Sequence, residues 1–132
     1  MASEVRHIFF EEHELIRALM KYSLIKRTPI EFKQIKSVII NNTGTVSATM
    51  MVKKVSNELP VKIDYTTAEL AAALVLFCTD TGIILPRRAS KILNVDEDLL
   101  HMTLIVKDKR EYGDAKIERL IKKYSRGGGV KV

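Results

Sequence analysis

The chain has 132 residues, of which 46% are hydrophobic and 29% are charged, and its formal net charge is +6 at pH 7. This size and apolar content suffice for one domain with a buried core that needs neither disulfide bonds nor a structural metal. The single cysteine, Cys78, excludes an intramolecular disulfide and favours a reducing compartment. The longest apolar run, residues 70–78, is about half of the roughly 18 residues that span a bilayer. Glutamates interrupt the N-terminal segment where a secretory signal would be apolar, so we expect a soluble, cytoplasmic protein without a transmembrane segment.

The positive charge is concentrated at the C-terminal end of the chain. Residues 107–132 contain nine basic and four acidic side chains, whereas residues 1–106 contain thirteen and twelve. This imbalance indicates a localised electropositive element. We therefore divide the chain into an α+β domain at residues 1–112 and a C-terminal part at residues 113–132. The second part is predicted to be a basic amphipathic helix followed by a flexible glycine-rich tail.

The first predicted element is a helix over residues 8–26. Its apolar residues recur at the three-and-four spacing of a single helical stripe. The stripe consists of Leu15, Ala18, Leu19, Tyr22 and Ile25. Pro29 ends this helix. The segment from Val5 could open as a short extended stretch.

A three-stranded antiparallel meander is predicted to follow. Residues 34–41 and 45–55 alternate with period two around the turn-forming residues 41–44, a pattern that indicates a β-hairpin. Residues 61–65 also alternate and supply the third strand. One face of the second strand is apolar and the opposite face is polar, as in a sheet with one solvated side. The apolar face carries Val46, Ala48, Met50 and Val52.

A second helix begins at a capping box. Residues 66–69 match the pattern in which Thr66 caps the helix and Glu69 reaches back to the cap. The helix body, residues 70–77, is apolar nearly all round, which is typical of a helix buried on most sides. Gly82 provides the left-handed residue that closes it.

The remaining elements complete the predicted fold. Residues 87–95 predict a short helix with Ala89, Ile92 and Leu93 inward, and residues 100–106 alternate as a fourth strand. Asp114 caps a last helix that runs to Arg126. The fold class is therefore α+β, with an antiparallel sheet of about four strands and helices packed on one face, in the order α-β-β-β-α-(short α)-β-α.

The C-terminal helix has a clean separation between an apolar stripe and basic sides. The stripe consists of Ile117, Leu120, Ile121 and Tyr124. The basic residues are Lys116, Arg119, Lys122, Lys123 and Arg126. Because so short a helix is marginal alone in water, the stripe must dock on this domain, on another subunit or on a partner. The sequence leaves the docking in cis or in trans open. The cations form either a solvated surface or a contact for phosphate backbone, acidic protein or anionic lipid.

Two further groups of residues have a chemical and a structural interpretation. Arg87 and Arg88 lie near the start of the predicted short helix, where backbone N–H groups also meet anions; an ordinary exposed loop is the alternative. His7, Glu11 and Glu14 share one face of the predicted first helix, with His13 nearby. These residue types can ligate a metal or transfer protons. A single helix supplies them, however, without an HExxH pattern or a cysteine ligand set, which favours a polar first helical turn.

The sequence predicts no catalytic residue, no metal site and no cofactor. His101 alternates with apolar residues, where a hydrogen-bonded histidine of the core or surface is commoner than a catalytic base. Cys78 lies among aliphatic residues, which raise a thiol pKa and do not activate it. Neither a Walker-type nor a dinucleotide-binding glycine pattern is present.

Our leading hypothesis from sequence is a small non-catalytic interaction module that binds a protein partner or associates with itself as a homo-oligomer, with the C-terminal helix as its docking element. The alternative is a protein that binds DNA or RNA, contacting the phosphate backbone through the basic C-terminal helix together with Arg87 and Arg88. An enzymatic role for His101 or the first-helix cluster is the third hypothesis.

Overall fold

Two antiparallel sheets and two α-helices make up the fold in the computed structural model, which describes residues 3–55, 58–106, 119 and 130–131. The elements are β1 (Glu4–Phe10), α1 (Glu12–Ile25), a 3₁₀ turn (Phe32–Gln34), β2 (Ile35–Thr43), β3 (Thr45–Val52), β4 (Val61–Tyr65), α2 (Thr67–Asp80), β5 (Ser90–Asp96), β6 (Leu99–Val106) and β7 (Val130–Lys131). The α+β class predicted from the sequence is confirmed.

The meander sheet contains β2, β3 and β4 in that order. Gly44, at φ +85°, makes the turn between β2 and β3, as the cluster of turn formers predicts. The predicted apolar face of β3, which runs from Val46 to Val52, is completely buried in the core. On the other face, Asn41 donates to Thr49 (3.0 Å) and Thr49 donates to Asp64 (2.8 Å), so the polar side is hydrogen-bonded across all three strands.

The second sheet, called here the terminal sheet, has the order β1-β6-β5-β7. β1 pairs with β6 along its whole length, from Glu4 opposite Val106 to Phe10 opposite Leu100. One face of this sheet, the inner face, contributes Phe10, Met102 and other residues to the main core, which it shares with the meander sheet and both helices. The opposite, outer face carries His7, Phe9, Ile92, His101, Thr103 and Ile105.

The two helices are fixed by caps at their amino ends. Thr66 Oγ1 accepts from the backbone N–H of Glu69 (3.2 Å), and the Glu69 carboxylate accepts from the Thr66 N–H (3.1 Å), which confirms the predicted capping box. α1 has a corresponding box between Glu11 and Glu14. α1 packs directly on α2, and an ion pair joins Lys21 to Asp80 at the surface. Neither helix of the described part is long and apolar enough to cross a lipid bilayer.

Three details of the predicted order are wrong. Residues 4–10 form β1 and the first helix starts only at Glu12, because the extended segment pairs with β6. Residues 90–96 form β5 and not a short helix; Ile92 and Leu93 are both buried because the two faces of the strand are both covered. The strands form two sheets in place of one, since β6 pairs with β1 and β5 and not with the meander.

The C-terminal part, residues 113–132, lies mostly outside the described residues. Within it Arg119 is helical and exposed, and Val130 and Lys131 pair with β5 as β7. The division at residue 112, the apolar stripe and the other four cations of the C-terminal helix therefore stay predictions.

Candidate functional site

A cleft of about 310 Å³ lies where β1 ends, α1 begins and the middle of β2 passes the β5–β6 turn. Most of its walls are apolar. The apolar lining residues are Phe10, Leu15, Val38, Ile39, Ile40, Val95, Leu99 and Leu100. Glu12 and Asp98 are the charged residues among the described ones that line it. The cleft therefore combines an apolar interior with negative charge, in a chain whose net charge is positive.

The junction of β1 and α1 positions one side of the cleft. Phe10, the last residue of β1, is buried with its ring edge-on to that of Phe77 on α2, at 6.2 Å between centroids. Glu11 alone separates the strand from the helix and serves as the helix cap. Glu12, the first helical residue, lies where negative charge is favoured by the helix dipole. The Glu12 carboxylate is thus positioned at the cleft because Glu12 lies between the buried ring of Phe10 and the body of the capped helix α1.

The β5–β6 turn positions Asp98, the other acidic residue of the cleft. Its two central residues, Glu97 and Asp98, both have positive φ, at 51° and 63°. Two-residue hairpin turns of this geometry suit the twist of a sheet but favour asparagine, aspartate and glycine. Aspartate tolerates the left-handed region, whereas glutamate is strained there. The turn therefore places Asp98 at the cleft at some cost in backbone strain at Glu97.

Replacing Glu97 with asparagine should stabilise the protein. Asparagine adopts the left-handed conformation more readily, and we expect the free energy of unfolding to rise by about 0.5 kcal/mol. Urea denaturation of the wild type and of Glu97→Asn measures this difference. Glu58→Asn, at an exposed position without positive φ, is the control; an equal gain there would contradict an effect of the turn.

One edge of β2 lies beside the cleft and is not paired within the described part of the chain. β2 is the first strand of the meander sheet and pairs with β3 along its other edge. Val38 and Ile40 face the core, while Ile39 between them is 54% exposed and also lines the cleft. An edge strand of this kind offers unpaired N–H and C=O groups to an added strand. Lys36 is the charged residue of β2, and it lies three positions away from Ile39.

A second cluster of side chains lies on the outer face of the terminal sheet and contains His101, the histidine considered in the sequence as a candidate base. His101 is 7% exposed, with the rings of Phe9 and His7 at 5.0 and 5.8 Å between centroids. His7 Nδ1 and Thr103 Oγ1 are hydrogen-bonded at 2.9 Å. Among the described residues, His101 Nδ1 is buried without a hydrogen-bond partner. Strand pairing thus brings together two histidines that are 94 positions apart in the sequence.

Burial determines the charge state of His101. Desolvation, with a further contribution from His7, lowers the pKa of His101 below 6.5, and the opposing effects of Asp96 and the Leu99 backbone are smaller. His101 is therefore neutral at pH 7. The arrangement joins two imidazoles and a hydroxyl group, and Thr103 Oγ1 is hydrogen-bonded to Nδ1 of His7.

The first-helix cluster differs from the predicted one because His7 belongs to β1 and not to the helix. Glu11, His13 and Glu14 do lie together, with their ligand atoms within 4.8 Å of one another. Both carboxylates already act in the capping box of α1, and His13 lies 3.3 Å from the Glu11 carboxylate at the surface. Capping of the amino end of α1 is therefore sufficient to explain why these three side chains lie together.

Arg87 and Arg88 lie at the tip of a turn closed by a 3.2 Å hydrogen bond from Ala89 N–H to the Pro86 carbonyl. Both are exposed, but no helix begins there, so the predicted short helix is wrong and a helix terminus does not contribute to anion binding at this place. Binding of an anion by the two arginines themselves stays a prediction. Two other cations belong to the strands of the same sheet. Arg6 on β1 and Lys91 on β5 flank Leu104 in one cross-strand row of the terminal sheet. Arg6 also donates to the Ile84 carbonyl of the loop before the turn (2.7 Å).

We call Arg6, Arg87, Arg88 and Lys91 the basic end of the terminal sheet. The sequence suggests only its two adjacent arginines, since the pairing of β1 with β6 is what adds Arg6. The Glu4 carboxylate lies 3.4 Å from Nε of Arg6 and offsets part of the positive charge of this end.

Cys78 is buried in α2, as predicted. Burial raises the pKa of its thiol, which therefore stays protonated and unreactive at neutral pH. The cysteine is a packing residue.

The cleft is the feature that sequence reasoning missed. Glu12 belongs to the first turn of α1 and Asp98 to the β5–β6 turn, and only the tertiary fold places these two residues at one opening. Comparisons of the chain with protein-family models, with curated protein sequences and with solved structures give no significant match.

Proposed function

We propose that this protein is a small non-catalytic interaction module that binds an extended segment of a partner protein in the cleft beside β2. The observation that carries the proposal is the apolar, acid-lined cleft of about 310 Å³ next to an edge of β2 with which no described strand pairs. This volume lies at the lower end of the range for ligand pockets, about 300–1,000 Å³, and suits one or two side chains of a peptide.

Strand addition explains how a partner segment would be held. The edge of β2 beside the cleft supplies backbone hydrogen bonds, and these give affinity with little dependence on sequence. Alternate side chains of the added strand would point into the cleft, where Phe10 and Leu99 form apolar walls. The exposed Ile39 would be covered at the same time, which removes apolar surface from water.

The two carboxylates supply the specificity. Glu12 and Asp98 favour a segment with a lysine or arginine next to its apolar residues, because a guanidinium or ammonium group can pair with carboxylates at the rim. An acidic segment would be repelled. The expected ligand is therefore an extended peptide with alternating apolar residues and a basic residue.

Selection from a peptide library displayed on phage tests this proposal with the full-length protein. We expect enriched peptides to share alternating apolar residues and at least one lysine or arginine. For a synthetic peptide of that sequence, Ile39→Lys and Asp98→Asn should each weaken binding about tenfold or more in a fluorescence titration, since each removes about 1.4 kcal/mol of contact energy or adds repulsion.

Leu59→Lys is the matched control, because Leu59 is an exposed apolar residue (87%) that does not line the cleft. The proposal is wrong if the control variant weakens binding as much as Ile39→Lys, or if no peptide is enriched. Enrichment of acidic peptides would point instead to the basic end. A wild-type dimer that Ile39→Lys dissociates would identify a second copy as the partner of the β2 edge.

The second candidate function is binding of DNA or RNA through the phosphate backbone, and the basic end of the terminal sheet supports it. Its four cations come from two separate parts of the chain, β1 and residues 87–91, and the exposed Arg87 and Arg88 are held at the tip of a turn. Affinity for labelled single- and double-stranded oligonucleotides should fall steeply with salt, by about one power of concentration for each phosphate neutralised.

The variant Arg87→Glu/Arg88→Glu should reduce that salt dependence by about two powers. Lys33→Glu/Lys36→Glu carries the same change of charge on the meander side and should bind almost as the wild type. Absence of binding at low salt, or an equal loss in both variants, would rule this function out.

A further inference from the structure

The outer face of the terminal sheet contains buried apolar residues that do not belong to the main core. Ile92 and Ile105 are only 0% and 2% exposed, yet neither belongs to the core cluster shared by the helices and the two sheets. Thr103, between them on the same face, is 1% exposed. The β5–β6 part of this face is therefore covered, whereas Phe9 on β1 is 51% exposed, and the two described helices contribute to the main core on the inner side.

The strand order shows which part of the chain can reach it. β6 and β7 are both antiparallel to β5 and lie on either side of it, so they are parallel to each other. Residues 107–129 connect them. Two parallel strands in one sheet can be joined only by a crossover that passes over one face, with a dozen or more residues and usually a helix. The connection here is long enough.

The inner face is not open to such a crossover. Leu93, Met102 and Leu104 of that face lie in the main core. The crossover must then pass over the outer face. The helix predicted within this crossover has one apolar stripe. Such a stripe can cover the apolar residues of the β5–β6 part of the outer face, which are buried but do not belong to the main core.

We infer that residues 107–129 cross the outer face of the terminal sheet in cis and that the stripe of Ile117, Leu120, Ile121 and Tyr124 docks on Ile92 and Ile105. The basic sides of the helix are then directed away from the sheet. This inference does not depend on the proposed function, because the cleft lies at a different part of the surface.

Disulfide trapping in the full chain tests the inference. In a Cys78→Ala background, Ile105→Cys is combined in turn with a cysteine on the stripe, and the pairs are oxidised at several protein concentrations. The stripe substitutions are Ile117→Cys, Leu120→Cys, Ile121→Cys and Tyr124→Cys. The control substitutions, on the other sides of the same helix, are Lys116→Cys, Arg119→Cys and Lys123→Cys.

We expect at least one stripe position to give an intramolecular disulfide, seen as a monomer of altered mobility on non-reducing gels whose yield is independent of protein concentration. The controls should give none. Disulfide-linked dimers alone would assign the face to the helix of a second copy, and equal trapping at stripe and control positions, or none anywhere, would also overturn the inference.

A milder substitution provides a second measurement. Tyr124→Leu keeps the stripe apolar but removes the ring current that shifts nearby methyl resonances. In the isoleucine methyl spectrum, the signals of Ile92 or Ile105 should move, and that of Ile63 in the meander sheet should not. If both Ile92 and Ile105 keep their resonances, the stripe does not lie on this face.

Discussion

Replacing Leu74 with alanine should lower the free energy of unfolding by about 3 kcal/mol, a large part of the 5–15 kcal/mol typical of a domain. Leu74 is completely buried on α2, in the core that both sheets share. Alanine at this position leaves a cavity that neither sheet can close without disturbing the other, since Met50 of the meander and Met102 of the terminal sheet belong to the same cluster. Urea denaturation followed by circular dichroism measures the loss.

Leu24→Ala is the matched control, because Leu24 on α1 is 62% exposed. We expect a change of less than about 0.5 kcal/mol for it. The slope of the transition should stay the same in both variants, as for a single cooperative domain. Two separate transitions in Leu74→Ala would contradict the shared core, because they would mean that the sheets unfold independently.

Replacing His101 with leucine should stabilise the protein by about 1–2 kcal/mol, even though it removes a polar residue. Nδ1 of His101 is buried and finds no hydrogen-bond partner in the described part of the chain, so the wild type carries the cost of a desolvated polar atom. Leucine has a similar volume and fits beside Phe9. Thermal and urea denaturation at pH 8 measure the gain.

The same substitution should change the pH dependence of stability. The pKa of His101 in the folded protein lies below the 6.5 of an exposed histidine, so the unfolded chain binds this proton more tightly. The free energy of unfolding of the wild type should therefore decrease as the pH falls below about 6.5, and this decrease should level off below the pKa of the folded state. In His101→Leu that decrease should be absent.

Leu24→Ala, which changes no titratable group, serves as the control here as well and should keep the pH dependence of the wild type. A loss of stability in His101→Leu at pH 8 would mean that the imidazole makes a stabilising hydrogen bond, and an unchanged pH profile would mean that another group titrates.

Local sequence signals predicted the elements that are stabilised locally. The capping box at Thr66 sets the start of α2, and Gly44 sets the β2–β3 hairpin; both depend on a few neighbouring residues. β5 was mistaken for a helix because Ala89, Ile92 and Leu93 also follow helical spacing. A short strand that is buried on both faces has no polar alternation that would distinguish it.

Long-range pairing is what the sequence could not reveal. Nothing near residues 4–10 indicates that this segment will pair with β6, almost a hundred positions away. The division into two sheets follows from that pairing, and so do the His7–Thr103 contact and the position of Arg6. The cleft escaped prediction for the same reason, since Glu12 and Asp98 have sound local explanations and meet only in the folded molecule.

The pairing of β1 with β6 also has a consequence for how the protein is made. β1 is synthesised before its partner β6, which follows it by almost a hundred residues. During that interval the segment that carries Ile8, Phe9 and Phe10 must stay in solution with its backbone unpaired, a state that favours contact with other chains. The terminal sheet can therefore close only after β6 has been synthesised, and chaperone binding to the nascent β1 segment should raise the yield of native protein.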